Sequence, residues 1–154
     1  MIYYADTSAL VKRYLNEIGS RWIRQLFLGI TSARQIFIVT ITGVEMSSAF
    51  SRKVRLGDIS QSVYQNAIDQ FESDFRYRYS RLRVTYAVIT RAMELAKQHP
   101  LRGYDAIQLA TVLELRDNLQ PISSSNLIFL SSDDALCQVA SLESLFTENP
   151  NQHP

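Results

Sequence analysis

Four acidic side chains stand where they could act together on a ligand: Asp6, Glu45, Asp105 and Asp133. Asp6 follows the apolar run MIYYA, Asp133 follows LIFLS, and Glu45 lies in the first turn of a predicted helix after IFIVT. Each run is short and apolar, which predicts a buried strand. Ligands of open α/β sheets bind outside the carboxyl ends of the strands. We therefore expect three of the acids to share one edge of a sheet.

The fourth acid, Asp105, lies at the start of a predicted helix in the segment LRGYDAIQLAT. It is in line with Leu109 and Val112 on a face that should be buried. A carboxylate on such a face costs free energy unless a partner compensates its charge. If Asp105 also points to the edge of the sheet, its partners are the other carboxylates together with a positive charge.

Clustered carboxylates need a cation or raised pKa values, because two of them about 4 Å apart repel by roughly 4 kcal/mol at an effective dielectric of about 20. Mg²⁺ and Mn²⁺ prefer oxygen ligands and commonly bridge to phosphate. His99, His153 and Cys137 do not have the spacing of a zinc site, and the sequence has no glycine-rich phosphate loop. Each acid taken alone also fits a helix N-cap or a first-turn position.

Apolar strands alternate with amphipathic helices, which predicts a parallel sheet covered by helices on both faces. Predicted helices cover residues 7–15, 19–30, 42–55, 60–79, 87–99, 104–117 and 134–142. Predicted strands cover 1–5, 36–40, 82–86 and 127–131, with a last strand expected within 144–154. We expect a single domain over residues 1–150 and a short tail, 151–154.

Composition is that of an ordinary globular protein, with 154 residues and 46% hydrophobic side chains. The formal net charge of +1 indicates no class of partner, so a nucleic-acid surface would need local clustering of basic residues. The single cysteine, Cys137, suits a reducing compartment. The sequence shows neither a signal peptide nor an apolar run of membrane-spanning length, so we expect a cytoplasmic protein.

Four segments resemble the acidic motifs of PIN-domain ribonucleases, in particular the VapC-like toxins of bacterial toxin–antitoxin pairs: YADTSALVKRY, VEMSSAF, HPLRGYDAIQLAT and FLSSDDALCQVA. The likeness runs from Ile2 to about Pro150. In order, the acids of the four motifs match Asp6, Glu45, Asp105 and Asp133. Asp134 directly follows Asp133, where relatives often carry a basic residue, so the choice of fourth acid between these two stays open. Gln108 stands where many relatives have histidine.

The resemblance implies a three-layer α/β/α sandwich with a central, mostly parallel sheet, and Mg²⁺- or Mn²⁺-dependent endonuclease activity on single-stranded RNA. It also implies a homodimer and a small antitoxin partner. In our hypothesis Asp6, Glu45 and Asp105 hold the principal ion, directly or through water. Asp133 holds a second ion or orients the attacking water, and a hydroxyl of Thr7 or Ser8 fixes a carboxylate by a hydrogen bond.

Basic residues near the acids are candidates for RNA binding. Arg76 and Arg78 belong to the segment FRYRYSRLR, where arginines alternate with aromatic residues that could stack on unpaired bases. The same segment also fits a solvated helix end. Arg102, three residues before Asp105, could either contact phosphate or balance the acidic cluster. The basic segment SRKVR, residues 51–55, could contact RNA or merely favour a helix C-terminus.

Other functions remain open at this level. Phosphatases of the haloacid-dehalogenase type need a second acid two residues after the first, and Ser8 occupies that position. The same fold could also serve as a non-catalytic RNA- or protein-binding module, or as a nuclease of housekeeping RNA processing.

Overall fold

The computed structural model describes residues 1–29, 35–119 and 126–153. Its strands are β1 (Ile2–Ala5), β2 (Gln35–Val39), β3 (Ser80–Leu82), β4 (Leu127–Leu130) and β5 (Phe146–Glu148). Its helices are α1 (Thr7–Tyr14), α2 (Ser20–Leu28), α3 (Thr42–Arg55), α4 (Gln61–Tyr77), α5 (Tyr86–Gln98), α6 (Gly103–Asn118) and α7 (Asp134–Leu142), followed by a 3₁₀ turn at Pro150–Gln152. Ile30 of the predicted second helix and most of the predicted loop 121–126 lie outside the described residues.

The five strands form one parallel sheet in the order β3-β2-β1-β4-β5. Strand β1 lies at the centre, where Tyr4 pairs with Phe37 of β2 and with Phe129 of β4. The carboxyl ends of these three strands are therefore neighbours at one edge of the sheet.

Side chains alternate between the two faces of the sheet and form two apolar clusters. Tyr3, Ile38 and Leu130 pack with α1 to α4 on one face. Tyr4 and Phe129 pack with α5 to α7 on the other face. Helices thus cover both faces, and the expected three-layer α/β/α sandwich is confirmed. No helix in the described ranges has the length and apolar character needed to cross a membrane.

The predicted strand at 82–86 is wrong in position, because the structure places β3 at Ser80–Leu82. Thr85 is instead the N-cap of α5, with its hydroxyl accepting a hydrogen bond from the Val88 amide at 3.3 Å. The residues after Leu82 therefore lead into the N-terminus of α5. The strand lies earlier in the sequence, where Ser80 pairs with Phe37 of β2. Strand β5 at Phe146–Glu148 agrees with the last strand expected in the C-terminal segment.

Candidate active site

All four predicted acids line one cleft of about 630 Å³ at the carboxyl edge of the sheet. Asp6 is the N-cap of α1 directly after β1, and Glu45 lies in the first turn of α3 after β2. Asp133 is the N-cap of α7 after β4, and Asp105 lies in the first turn of α6. The cleft is also lined by Thr7, Ser8, Val44, Ser48, Ala49, Arg52, Arg102 and Tyr104. The central strands thus bring together acids that are up to 127 residues apart in sequence, from Asp6 to Asp133 (133 − 6).

The Asp6 carboxylate is almost fully buried, with 5% of its surface exposed. Its Oδ2 accepts hydrogen bonds from the Ser8 hydroxyl at 2.6 Å, the Ser131 hydroxyl at 3.1 Å and the Ser8 amide at 3.3 Å. Burial raises the pKa of Asp6 to about 6, the hydrogen bonds from Ser8 oppose this shift, and the negative charge of Glu45 adds to it. The hydrogen-bond donors to this buried acid are all neutral, so a cation would lower the cost of its charge.

Glu45 is held through one of its two oxygens. Oε2 accepts hydrogen bonds from the Thr7 hydroxyl at 2.6 Å and from the Gln108 side-chain amide at 2.8 Å. Thr7 and Ser8, which the sequence offered as alternatives, therefore each donate to a different carboxylate: Thr7 to Glu45 and Ser8 to Asp6.

Asp105 is half-buried, and both Asp133 and Arg102 are charged neighbours of its carboxyl group. Burial raises the pKa of Asp105, and the negative charge of Asp133 raises it further, while a backbone hydrogen bond and the charge of Arg102 oppose the shift. The acid on the predicted buried stripe of α6 therefore points into the cleft, one turn before Leu109, which is fully buried.

The two adjacent acids of α7 face different surroundings. Asp133 lines the cleft, and its Oδ1 accepts a hydrogen bond from the Leu136 amide at 3.0 Å. The Asp134 carboxylate accepts instead from the Asn149 side-chain amide at 2.6 Å, on the side of the C-terminal segment. Of the two candidates for the fourth acid, only Asp133 belongs to the cleft.

The donor set of the cleft suits a hard divalent cation, because it consists of carboxylate and hydroxyl oxygens. Within residues 1–29, 35–119 and 126–153, no three His, Cys, Asp or Glu side chains form a ready-made coordination group. The negative charge of Glu45 raises the pKa of Asp6, and that of Asp133 raises the pKa of Asp105, so these acids affect one another across the cleft. This arrangement fits Mg²⁺ or Mn²⁺, which usually keep several water ligands and need few direct carboxylates.

The predicted RNA-binding arginines separate into two groups. Arg102 lines the cleft. Arg76 lines a different groove beside Phe75, and the Arg78 guanidinium donates to the Phe27 carbonyl oxygen at 2.6 Å. A role for Arg76 and Arg78 in RNA binding stays a prediction, and neither residue lines the cleft that holds the acids.

Two residues of the site were not singled out from the sequence as functional: Gln108 and Ser131. Arg52 belongs to the basic segment SRKVR that was considered for RNA contact, and it shares the face of Glu45 because it follows that acid by seven residues, about two helical turns. Ser131 carried a weaker signal as the hydroxyl residue of the fourth motif. The contacts of Gln108 join segments too distant in sequence to be predicted from one chain.

Comparisons with known proteins identify the family and the fold of the chain. The PIN domain family profile matches residues 3–142. Ribonuclease VapC45 of Mycobacterium tuberculosis is 31% identical over 116 residues, which cover 75% of this chain and 78% of that protein. The VapBC2 structure from Rickettsia felis, bound to a promoter DNA fragment, aligns with a TM-score of 0.61, 15% identity and coverage of 97% and 98% of the two chains.

A second solved structure, VapBC-1 from nontypeable Haemophilus influenzae, aligns with a TM-score of 0.58 and 16% identity, over 97% of this chain and 98% of that one. These likenesses support the fold, and the profile match extends from β1 through α7, the elements that carry all four acids. The sequence-based resemblance is confirmed: this chain belongs to the PIN domain family.

Proposed function

We propose that this chain is a Mg²⁺- or Mn²⁺-dependent endoribonuclease that hydrolyses phosphodiester bonds of single-stranded RNA in the cytoplasm. The observation that carries the proposal is the convergence of Asp6, Glu45, Asp105 and Asp133 on one cleft that is bordered by two arginines. The ribonuclease name of the Mycobacterium tuberculosis relative supports the same activity.

Asp6, Glu45 and Asp105 would hold the principal ion, directly or through water, and Asp133 would hold a second ion or orient the attacking water. A bound divalent ion supplies an acidified water and neutralises charge that develops on the phosphate. The side chains of the protein hold the carboxylates in position for the ion. Ser8 and Thr7 fix one oxygen of Asp6 and one of Glu45, which leaves the other carboxylate oxygens available to the cleft.

Arg52 and Arg102 are suited to bind the phosphates of RNA. Both line the cleft, and neither forms an ion pair with another side chain of the described part of the protein. Tyr104, whose side chain is about half exposed beside Asp105, offers an aromatic surface for an unpaired base.

The proposed activity has a direct test. The purified chain should cleave single-stranded RNA in the presence of Mg²⁺ or Mn²⁺, and chelation by EDTA should stop cleavage because the acids then lack the compensating cation. Asp133→Asn should lower the rate strongly. Asp134→Asn is the matched control, since Asp134 binds Asn149 outside the cleft. Cleavage that survives chelation would contradict the proposal.

The arginines give an independent test of where RNA lies. Arg52→Ala and Arg102→Ala should each weaken RNA binding by roughly tenfold and reduce the slope of log affinity against log salt by about 1, because each removes one phosphate contact. Arg55→Ala is the matched control, because Arg55 ends the same helix as Arg52 and does not line the cleft. Equal losses in all three variants would show that RNA binding is diffuse rather than centred on the cleft.

We also propose that the chain acts as the toxin of a toxin–antitoxin pair, that it forms a homodimer, and that a small antitoxin protein is its partner. The VapBC complexes among the solved relatives support this biological role. A short neighbouring reading frame for a DNA-binding protein would identify the antitoxin, and its absence would favour a role in housekeeping RNA processing.

A further inference from the structure

Gln108 is a buried polar residue in an apolar stretch of α6. It follows Asp105 by three residues, about one helical turn, and only 1% of its surface is exposed. Its neighbours Leu109 and Ala110 are fully buried. A buried side-chain amide is costly unless its donors and acceptor are paired, so its partners show what it is positioned to do.

The partners of Gln108 lie on three other elements. Its Nε2 donates to Glu45 Oε2 at 2.8 Å and lies 3.2 Å from the Thr42 hydroxyl and 3.3 Å from the Thr7 hydroxyl. Its Oε1 accepts a hydrogen bond from the Tyr4 hydroxyl at 2.8 Å. Gln108 therefore joins the central strand β1 to the acid of α3.

Tyr4 and Glu45 together orient the amide of Gln108, with Tyr4 on its carbonyl side. Tyr4 is fully buried in β1, and its hydroxyl occupies the carbonyl side of the amide. The NH₂ group faces Glu45, because a carboxylate can only accept a hydrogen bond. The donors from Thr7 and Gln108 both reach Oε2 of Glu45, and within the described residues no hydrogen bond reaches Oε1. The carboxylate is thereby held in one orientation, with its second oxygen available to the cleft.

We propose that Gln108, itself oriented by Tyr4, is a positioning residue that fixes the Glu45 carboxylate for divalent-ion binding. The inference rests on the proposed function and concerns the same cleft. Neither Gln108 nor Tyr4 lines the cleft, so their effect passes through Glu45. Groups that orient metal ligands by hydrogen bonds typically change metal affinity or activity by about 10–100-fold when removed.

The test compares Gln108→Leu, Gln108→His and Tyr4→Phe with the unmodified chain. The measurements are Mn²⁺ affinity by calorimetry without RNA, kcat and KM for RNA cleavage, and urea unfolding without metal. Gln108→Leu should weaken Mn²⁺ binding and lower kcat by about 10–100-fold, with KM little changed. Gln108→His keeps an N–H donor and should therefore retain most of the Mn²⁺ affinity and most of kcat. Gln138→Leu, an exposed glutamine outside the cleft, is the control.

If Gln108→Leu fails to fold, Tyr4→Phe still tests the inference, because this variant loses one hydroxyl and retains the aromatic packing. It should weaken Mn²⁺ binding in the same direction as Gln108→Leu and by a smaller factor. Lower stability in these variants with unchanged Mn²⁺ affinity and kcat would overturn the inference and leave Gln108 as a purely structural residue. If the unmodified chain neither binds Mn²⁺ nor cleaves RNA, the proposed function fails and the inference fails with it.

Discussion

Asp105→Asn should strongly reduce the rate of RNA cleavage while making the metal-free protein slightly more stable. Asp105 is half-buried, and Asp133 raises its pKa, so the charge of Asp105 is unfavourable when no cation is present. Asparagine keeps the size of the side chain and removes that charge. We expect the cleavage rate to fall about a hundredfold or more, equivalent to about 3 kcal/mol of lost transition-state stabilisation.

The thermal stability of Asp105→Asn provides the second measurement. Mn²⁺ should raise the melting temperature of the unmodified chain, because a ligand that binds only the folded state stabilises it. Asp105→Asn should lose most of this increase. Asp58→Asn is the control, because Asp58 is exposed in the turn between α3 and α4. Full cleavage by Asp105→Asn, with the fold intact, would remove Asp105 from the proposed metal site.

The stability of the metal-free protein should fall as pH rises from about 4 to about 6, through the ionisation of Asp6. Burial raises the pKa of this carboxyl from 3.8 to about 6 in the folded state. The folded protein therefore binds the proton more tightly than the unfolded chain. The stability that the protonated Asp6 carboxyl contributes is fully present below the pKa of the unfolded chain. It is lost as the pH rises through the pKa of the folded protein. A shift of this size corresponds to roughly 3 kcal/mol.

Asp6→Asn should remove this pH dependence, because asparagine does not titrate and still offers an acceptor to Ser8. The measurement is the difference in the free energy of unfolding between the two proteins, determined by urea titration with EDTA across this pH range. Asp6→Asn should become the more stable protein at neutral pH, and added Mn²⁺ should reverse the order. Parallel pH curves for the two proteins would contradict the assigned role of burial.

The sequence predicts the central part of the fold better than its edge. The strands β1, β2 and β4 are short apolar runs buried on both faces, and their positions agree with prediction to within one residue. Strand β3 has only three residues, of which Arg81 is exposed, and no apolar pattern marks it. Its position depends on pairing with β2, which is a tertiary contact, and on the capping of α5 by Thr85, which is a local hydrogen bond. Neither can be predicted from the pattern of hydrophobic residues.

The acids of the cleft could be predicted because each follows a strand or interrupts an apolar face, which is an unusual place for a charge. Apart from the two hydroxyl residues at the start of α1, the uncharged side chains that form hydrogen bonds with these acids could not be predicted. Gln108 is separated in sequence by 63 residues from Glu45 and by 104 from Tyr4, and a buried glutamine does not reveal its partners. Arg52 was included in the candidate RNA-binding segment 51–55, and its spacing to Glu45 places it on the side of the cleft.

The pairing of the first strand with the fourth makes assembly of the cleft depend on residues translated long after Asp6. Strand β1 needs residues 127–130 as its neighbour, and Asp6 needs the hydroxyl of Ser131. A nascent chain that has not yet emerged from the ribosome as far as Asp133 cannot assemble the cleft. Under the proposed function, a chain released before Asp133 would lack the complete set of acids and would be unable to hydrolyse RNA.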